Sequence, residues 1–390
     1  MRCSSSVAAL LGALAYSGCL GHGPATPGEG SIEAQASWEV PLGVLGAGAE
    51  DLDVEIRSKA LACLVRRAPE PGGGTWTARA LWDPSPYVRR AAIRALARRL
   101  EETEARDALA SVVGRADVDP YTRGLAGTVL ADAGDKRVAG VLSEAWRTAS
   151  APWQAAPLAL AAARMGDPQA PAAVARALEG GEFPLEVSFF LSIGRSGLSG
   201  LAPALVEAAA SVEEDLLLPV AAALVGLGAP EGEALFDQAL SGSEDQQMEA
   251  LDILAFLPGD VARRLVRSAA RGDGHPARYA RLLRVGWQET SSKEAVRAAV
   301  DPDREIRSLA IQALGRALHS SSRDDRAHGA LVQALSDPEP VVRLEAIRSL
   351  GRIGHPEDRD LFLPFLASGS GRPDLFEIEA ASAILCPGPP

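Results

Sequence analysis

The chain of 390 residues has a formal net charge of −12 and is 47% hydrophobic but only 5% aromatic. An acidic balance of this size disfavours a nucleic-acid backbone as partner, because such binding rests on clustered cations. So few aromatics fit helices packed closely through Ala and Leu, and some 350 folded residues exceed what one hydrophobic core usually serves, about 250–300.

The first stretch, Met1 to Cys19, has one early Arg2, an apolar run from Val7 to Ala15 and then Tyr16-Ser17-Gly18-Cys19. An apolar run of about ten residues is too short to span a bilayer as a helix, so residues 1–18 read as an export signal. Residues 19–37, rich in Gly and Pro, read as a flexible tether. The folded part is expected over 38–390.

From Asp51 onward one pattern recurs. Its clearest copy is LSDPEPVVRLEAIRSLGRIGH, Leu335 to His355. Asp337 and Pro338 supply a capping oxygen and a residue suited to a first turn. Val342, Ala346, Ile347, Leu350 and Ile353 form an apolar stripe at spacings of three and four, which puts Glu345, Arg348 and Arg352 on the solvent side. Gly354 closes the helix, and a second helix is expected over Glu357 to Ala367. Five copies pair an Asp with an Arg six residues on: Asp51 with Arg57, Asp83 with Arg89, Asp117 with Arg123, Asp301 with Arg307, and Asp337 with Arg343. Weaker copies between them keep the apolar frame and often the final Gly. Their marks fall near 51, 83, 117, 149, 177, 211, 241, 269, 301, 337 and 371, a mean step of 32 residues. A period of this size signifies a helical solenoid, whose stacked local cores escape the limit on a single one. Pro71 to Gly74 and Ser320 to Arg326 read as loops between repeat helices.

The D-P-x-x-x-V-R…A-x-x-A-L-G-x-[IL]-G run resembles HEAT-repeat proteins, in particular the bacterial phycobilisome-lyase-type HEAT-like repeats. The resemblance implies an all-α, right-handed α-solenoid of about eleven stacked helix pairs. It also implies that the five Asp and Arg pairs form a structural ladder between neighbouring copies. The Ser-Gly-Cys ending of the first segment resembles a bacterial lipoprotein box, which makes Cys19 the lipidated residue; Ala13-Leu14-Ala15 fits an ordinary signal-peptidase site instead. The corresponding locations are the periplasmic side of the outer membrane through a lipid anchor, or the soluble periplasm.

Two cysteines, Cys63 and Cys386, belong to the folded part. Helices stacked about 8–10 Å apart would separate them by the order of 100 Å along ten steps of an open arc, whereas a disulfide needs Cα atoms within about 7 Å. The expectation is that they stay apart, Cys63 filling the small-residue slot of Ala95, Ala313 and Ser349.

Charge is uneven along the chain. Glu179 to Asp260 holds fifteen acids and one base, Arg195, whereas Val261 to Val300 holds nine bases and three acids. Acids in a first helical turn complement the helix dipole, and charge keeps a chain soluble. The competing reading makes Glu213, Glu214, Asp215, Glu249 and Asp252 a surface for a basic partner. The arginines at 263, 264, 267, 271, 278, 281 and 284 form a basic collar open to lipid headgroups or an acidic patch.

Catalytic motifs are missing: there is no Cys-x-x-Cys, His-Glu-x-x-His, P-loop or Gly-x-Ser-x-Gly. HEAT-like hydroxylases carry His-Glu pairs for iron, but His22, His275, His319, His328 and His355 are each followed by another residue. No metal ligands or cofactors are expected. The reading is a non-enzymatic protein–protein interaction scaffold or adaptor of the cell envelope, docking another envelope protein with a basic surface. The alternative is a small-ligand-binding or lyase-like HEAT-repeat enzyme.

Overall fold

The computed structural model describes residues 32–67, 73–180, 187–257, 259–320, 324–366 and 373–387. Regular structure among them is helical throughout, in twenty-two α-helices with short 3₁₀ turns. In chain order these are α1 Ile32–Gly48, α2 Val54–Arg67, α3 Gly73–Leu81, α4 Pro86–Leu96, α5 Thr103–Gly114, α6 Pro120–Asp132, α7 Ala139–Arg147 and α8 Pro152–Arg164. Then come α9 Ala170–Glu179, α10 Val187–Gly194, α11 Ala202–Ala209, α12 Glu214–Gly226, α13 Pro230–Leu240, α14 Glu244–Leu254 and α15 Asp260–Ala269. The last seven are α16 Gly274–Gly286, α17 Lys293–Ala298, α18 Arg304–Ser320, α19 Asp325–Ala334, α20 Pro340–Ile353, α21 Arg359–Phe362 and α22 Leu375–Leu385. No helix among the described residues is long and apolar enough to cross a membrane.

The even-numbered helices are the expected repeat helices. Each starts three to five residues after its mark, except α10, which starts ten residues after. The clearest copy shows why the offset arises. Asp337 precedes the helix and accepts from Glu339 N–H at 2.9 Å, so α20 itself begins at Pro340. Gly354 ends it in the left-handed region at φ 73°, a conformation that costs a side-chain-bearing residue more. The helix expected over 357–367 is shorter than the spacing suggests: α21 is four residues long, flanked by 3₁₀ turns at Pro356–Asp358 and Leu363–Leu366.

The fold divides into two compact units. In the unit formed by residues 96–272, α6 packs on α8, and α10 on α12, which also meets α14; odd-numbered helices back them, as α13 backs α12. In the other unit, residues 32–95 join residues 273–387. Its stack runs α16, α18, α20, α22 and then α2, so the last copy of the repeat packs on the first.

That contact overturns two expectations. The first concerns the tether, because residues 32–37 belong to α1, which lies against α22. Leu45 is fully buried, and a Cβ on Gly48 would come within 2.3 Å of Ile378 Cδ1. The surface that orders α1 is thus supplied from the far end of the sequence, where a local reading does not look. The second concerns the cysteines. Cys63 and Cys386 form a disulfide with a Cα–Cα distance of 5.9 Å across 323 residues of sequence. The expected separation assumed an open arc with its ends apart. Residues 73–74, expected in a loop, open α3, and Asp325 and Arg326 open α19.

Burial around α20 is also wider than a single stripe. Glu345 is only 9% exposed, flanked by Arg348 and Arg352 at 4.0 Å. Ser349 is fully buried and donates to Ile311 O at 3.2 Å. A helix with neighbours on both sides in a stack, α18 and α22 here, buries flanks that a free amphipathic helix would wet. Glu345 therefore faces neighbouring side chains and not solvent.

The end contact yields a stability prediction. Chain-entropy arguments put the contribution of a bond closing so long a loop at up to about 5 kcal/mol. Reduction, or Cys63→Ser, is expected to lower the melting temperature and to raise hydrogen exchange in both Ile32–Arg67 and Leu375–Leu385 together. Unchanged exchange at either end would show that the bond does not hold the two copies together.

Candidate interaction surface

The acidic residues singled out in the sequence gather on two consecutive repeat helices of the 96–272 unit. Glu213 is the extended N-cap of α12, Glu214 and Asp215 form its first turn, and all three are exposed. Glu249 and Asp252 lie on α14, which packs against α12. A capping box between Ser243 and Gln246 starts α14, and the Gln246 side chain also reaches Glu214 Oε1 at 3.5 Å. Burial, followed by the charges of Asp215, Glu214 and Asp252, pushes the Glu249 carboxyl above its ordinary range. Glu249 therefore senses three of the other four acids, and Glu213 adjoins Glu214 along the chain.

Dipole complementarity accounts for only part of this cluster. Glu214, Asp215, Glu244 and Asp245 occupy first turns, where the helix end is positive. Glu249 sits mid-helix and Asp252 in the last turn of α14, where the helix's own field opposes an acid.

Four of the seven arginines of the basic collar are engaged by acids. Arg264 makes a bidentate pair with Glu233 at 2.6 Å, and Arg278 pairs with Asp301. Arg281 meets Glu294 at 3.1 Å and Arg284 meets Glu289 at 3.3 Å. Arg264 and Arg278 thereby join neighbouring copies, and Arg281 and Arg284 tie α16 to α17 and the loop between them within one copy.

The Asp and Arg ladder is present in the 32–95 and 273–387 unit. Arg57 Nε donates to Asp83 Oδ2 at 2.8 Å and its Nη2 to Oδ1 at 3.1 Å. Arg307 repeats this on Asp337, at 2.8 and 3.0 Å. A rung therefore runs from the Arg of one copy to the Asp of the next. Within each copy, Arg57, Arg89, Arg307 and Arg343 also donate Nη1 to the carbonyl of their own Asp51, Asp83, Asp301 and Asp337, at 2.6–2.8 Å. The third pair departs from the expectation. Asp117 is exposed and bound by Arg115, Asp119 caps α6 through Thr122 N–H at 2.9 Å, and Arg123 donates to Val113 O. A nearer Arg and a better-placed cap displace the rung. Conversely, Arg278 acts as a rung to Asp301 although its copy lacks the motif's Asp. Its lead of twenty-three residues over Asp301, close to the twenty-six between Arg57 and Asp83, was the available signal.

At the end contact the rung is replaced by a carboxylate shared between two cations. Glu379 on α22 accepts from Lys59 on α2 at 2.5 Å and from Arg348 on α20 at 2.8 Å. Burial alone would push its carboxyl up, but Lys59 and Arg348 hold it at about 2, below the ordinary 4.5. The depressed value means that Glu379 stabilises the fold fully above pH 4.5 and loses that contribution as pH falls toward 2. Glu379→Gln removes the carboxylate shared by two half-buried cations and is expected to cost up to about 3 kcal/mol at neutral pH, the gap to wild type closing as acid is added. A constant gap across that pH range in thermal melts would refute the assignment.

Cys19 lies outside the described residues. One group among the described residues has metal-ligand types close together, namely His328, His355 and Asp358.

A model of HEAT repeats matches residues 74–161 and 292–383, so the chain carries HEAT repeats over those stretches. No curated protein matches it significantly. Among solved structures it is similar to human deoxyhypusine hydroxylase in complex with glycerol, at 18% identity and a TM-score of 0.30, over 82% of this chain and 98% of that one. It is also similar to an engineered protein, at 18% identity and a TM-score of 0.25, over 90% and 100% of the two chains. A third likeness is to a chain from a study of the phosphorylation switch between cadherin and beta-catenin, at 12% identity and a TM-score of 0.22, over 88% and 90%. Likenesses at these scores carry no argument about function.

Proposed function

We propose that this HEAT-repeat chain is a non-enzymatic scaffold or adaptor of the bacterial cell envelope, with repeats of the phycobilisome-lyase type, that docks a basic envelope protein through its acidic surface. The observation that carries the reading is the convergence of Glu214, Asp215, Glu249 and Asp252 on two consecutive repeat helices. Like charges held together raise one another's free energy and are relieved by an arriving cation. Helix capping asks for acids in first turns and gives no reason for one at the last turn of α14. Long-range attraction of this kind acts mainly on the association rate and is screened by salt.

The test is reversal of Glu213, Glu214, Asp215, Glu249 and Asp252 to Lys, followed by binding to the partner recovered from crosslinked envelopes. Association is expected to slow by at least about tenfold at low ionic strength and to lose its dependence on salt. Equal binding with an unchanged salt slope in a folded variant would leave the acids as a solvated surface only.

For location, the reading is export and attachment to the outer membrane through lipidated Cys19. The Cys63–Cys386 disulfide supports an oxidising compartment, and the Ser-Gly-Cys ending supports the anchor. Cys19→Ala is expected to move the protein from the membrane fraction to the soluble one. Retention in the membrane fraction would point to another mode of attachment.

A further inference from the structure

His328, His355 and Asp358 come from three places in the two copies marked by Asp301 and Asp337. His328 is on α19, His355 follows the left-handed Gly354 that ends α20, and Asp358 closes the 3₁₀ turn beginning at Pro356. Their candidate ligand atoms lie within 4.8 Å of one another. His328 Nε2 is 2.9 and 3.0 Å from the two oxygens of Asp358, and the imidazoles of His328 and His355 stack at 5.6 Å between centroids, 23° from parallel.

The plain alternative is that His328 and Asp358 form one more structural rung. The chemistry of the other rungs argues against leaving it there. The buried or half-buried Asp83 and Asp337 are answered by bidentate guanidinium groups, which carry a permanent charge. Asp358 is only 2% exposed, and among the described residues its ion-pair partner is an imidazole, which supplies a positive charge only when protonated. A buried carboxylate needs a countercharge. A second imidazole beside the first adds little as a hydrogen-bonding partner to Asp358, but it completes a set of two nitrogens and one oxygen.

We propose that His328, His355 and Asp358 form a binding site for a divalent transition-metal ion of the zinc type. Two imidazoles and one carboxylate suit Zn²⁺ and disfavour Mg²⁺ and Ca²⁺, which take oxygen ligands. Three protein ligands leave a fourth tetrahedral position for water. Zn–N and Zn–O bonds of about 2.0–2.2 Å place neighbouring ligands about 3.3 Å apart. His328 and Asp358 lie near that spacing, and the three ligand atoms are all within 4.8 Å of one another, so ligation asks for an inward shift of the partly exposed His355 ring of about 1.5 Å. The ion neutralises Asp358 and ties α19 to the turn that follows α20. The sequence signal was slight: His355 and Asp358 three apart on a turn, and His328 about one repeat period earlier.

The test is titration of the chelator-stripped full chain with ZnCl₂ at neutral pH, by calorimetry and thermal shift, with Co²⁺ absorption to report tetrahedral nitrogen and oxygen ligation. Wild type is expected to bind one ion at this site and to melt higher when loaded. His355→Ala, which removes a partly exposed ring, is expected to keep the metal-free melting temperature and to weaken binding by at least about tenfold. Asp358→Asn is expected to abolish the visible Co²⁺ bands. The proposal is overturned if wild type shows no stoichiometric binding, or if His355→Ala binds as tightly as wild type. Lowered metal-free stability in His328→Ala, with no zinc binding by wild type, likewise overturns it and leaves a structural rung.

Discussion

The packing of the last repeat helix on the first two helices is the constraint on which the unit formed by residues 32–95 and 273–387 depends. A stack of helix pairs has apolar faces at its ends, and repeat proteins usually cover them with atypical polar caps. Here α22 covers α20 on one side and α1 and α2 on the other. Ile378 is fully buried against Gly48, and a side chain of that size contributes about 1.5–3 kcal/mol when removed from water. The disulfide and the Lys59–Glu379–Arg348 group then act on a contact that apolar burial has already made. The order of effects matters, because a buried ion group alone seldom repays its desolvation.

This contact also marks the limit of what the sequence revealed. The eleven repeat helices, the closing Gly354 and the rungs at Arg57 and Arg307 were legible because each depends on residues within one copy or the next. The pairing of Cys63 with Cys386 was not, since it depends on a contact across 323 residues of sequence that no local pattern encodes. Glu345 failed for a related reason. Helical periodicity assigns one buried stripe, whereas a helix between two neighbours in a stack is buried on its flanks as well. The acidic cluster lay between these cases: its residues were legible from charge counts, but their convergence on α12 and α14 required the packing.

The basic and the acidic stretches use their charges differently. The arginines at 264, 278, 281 and 284 looked like a basic field in the linear count, yet each meets an acid, Arg264 and Arg278 one in a neighbouring copy and Arg281 and Arg284 one within their own. Net charge over a window of sequence is therefore a poor guide in a repeat protein, where the nearest neighbour in space lies about thirty residues away. The acids of α12 and α14 behave in the opposite way. Stacking brings them toward one another, so the count understates the local field.

The copies that lost the Asp and Arg rungs still pack closely, and the contact between α10 and α12 shows how. A Cβ on Gly226 would lie 2.6 Å from Gly194 O, and one on Gly194 would lie 3.1 Å from Ala223 Cα. The two helices meet backbone to backbone, a fit that tolerates no larger side chain at the crossing. The crossing of α18 and α20, which carries the Arg307–Asp337 rung, is as close, a Cβ on Gly315 falling 2.4 Å from Ser349 Oγ, so dispersion over such contacts holds copies together with or without a rung. Once the crossing holds the copies in register, the residues at that edge no longer have to be a paired Asp and Arg. Glu213, Glu214 and Asp215 occupy that edge at the start of α12 and are exposed, so their charge is carried by residues that the crossing does not need for packing.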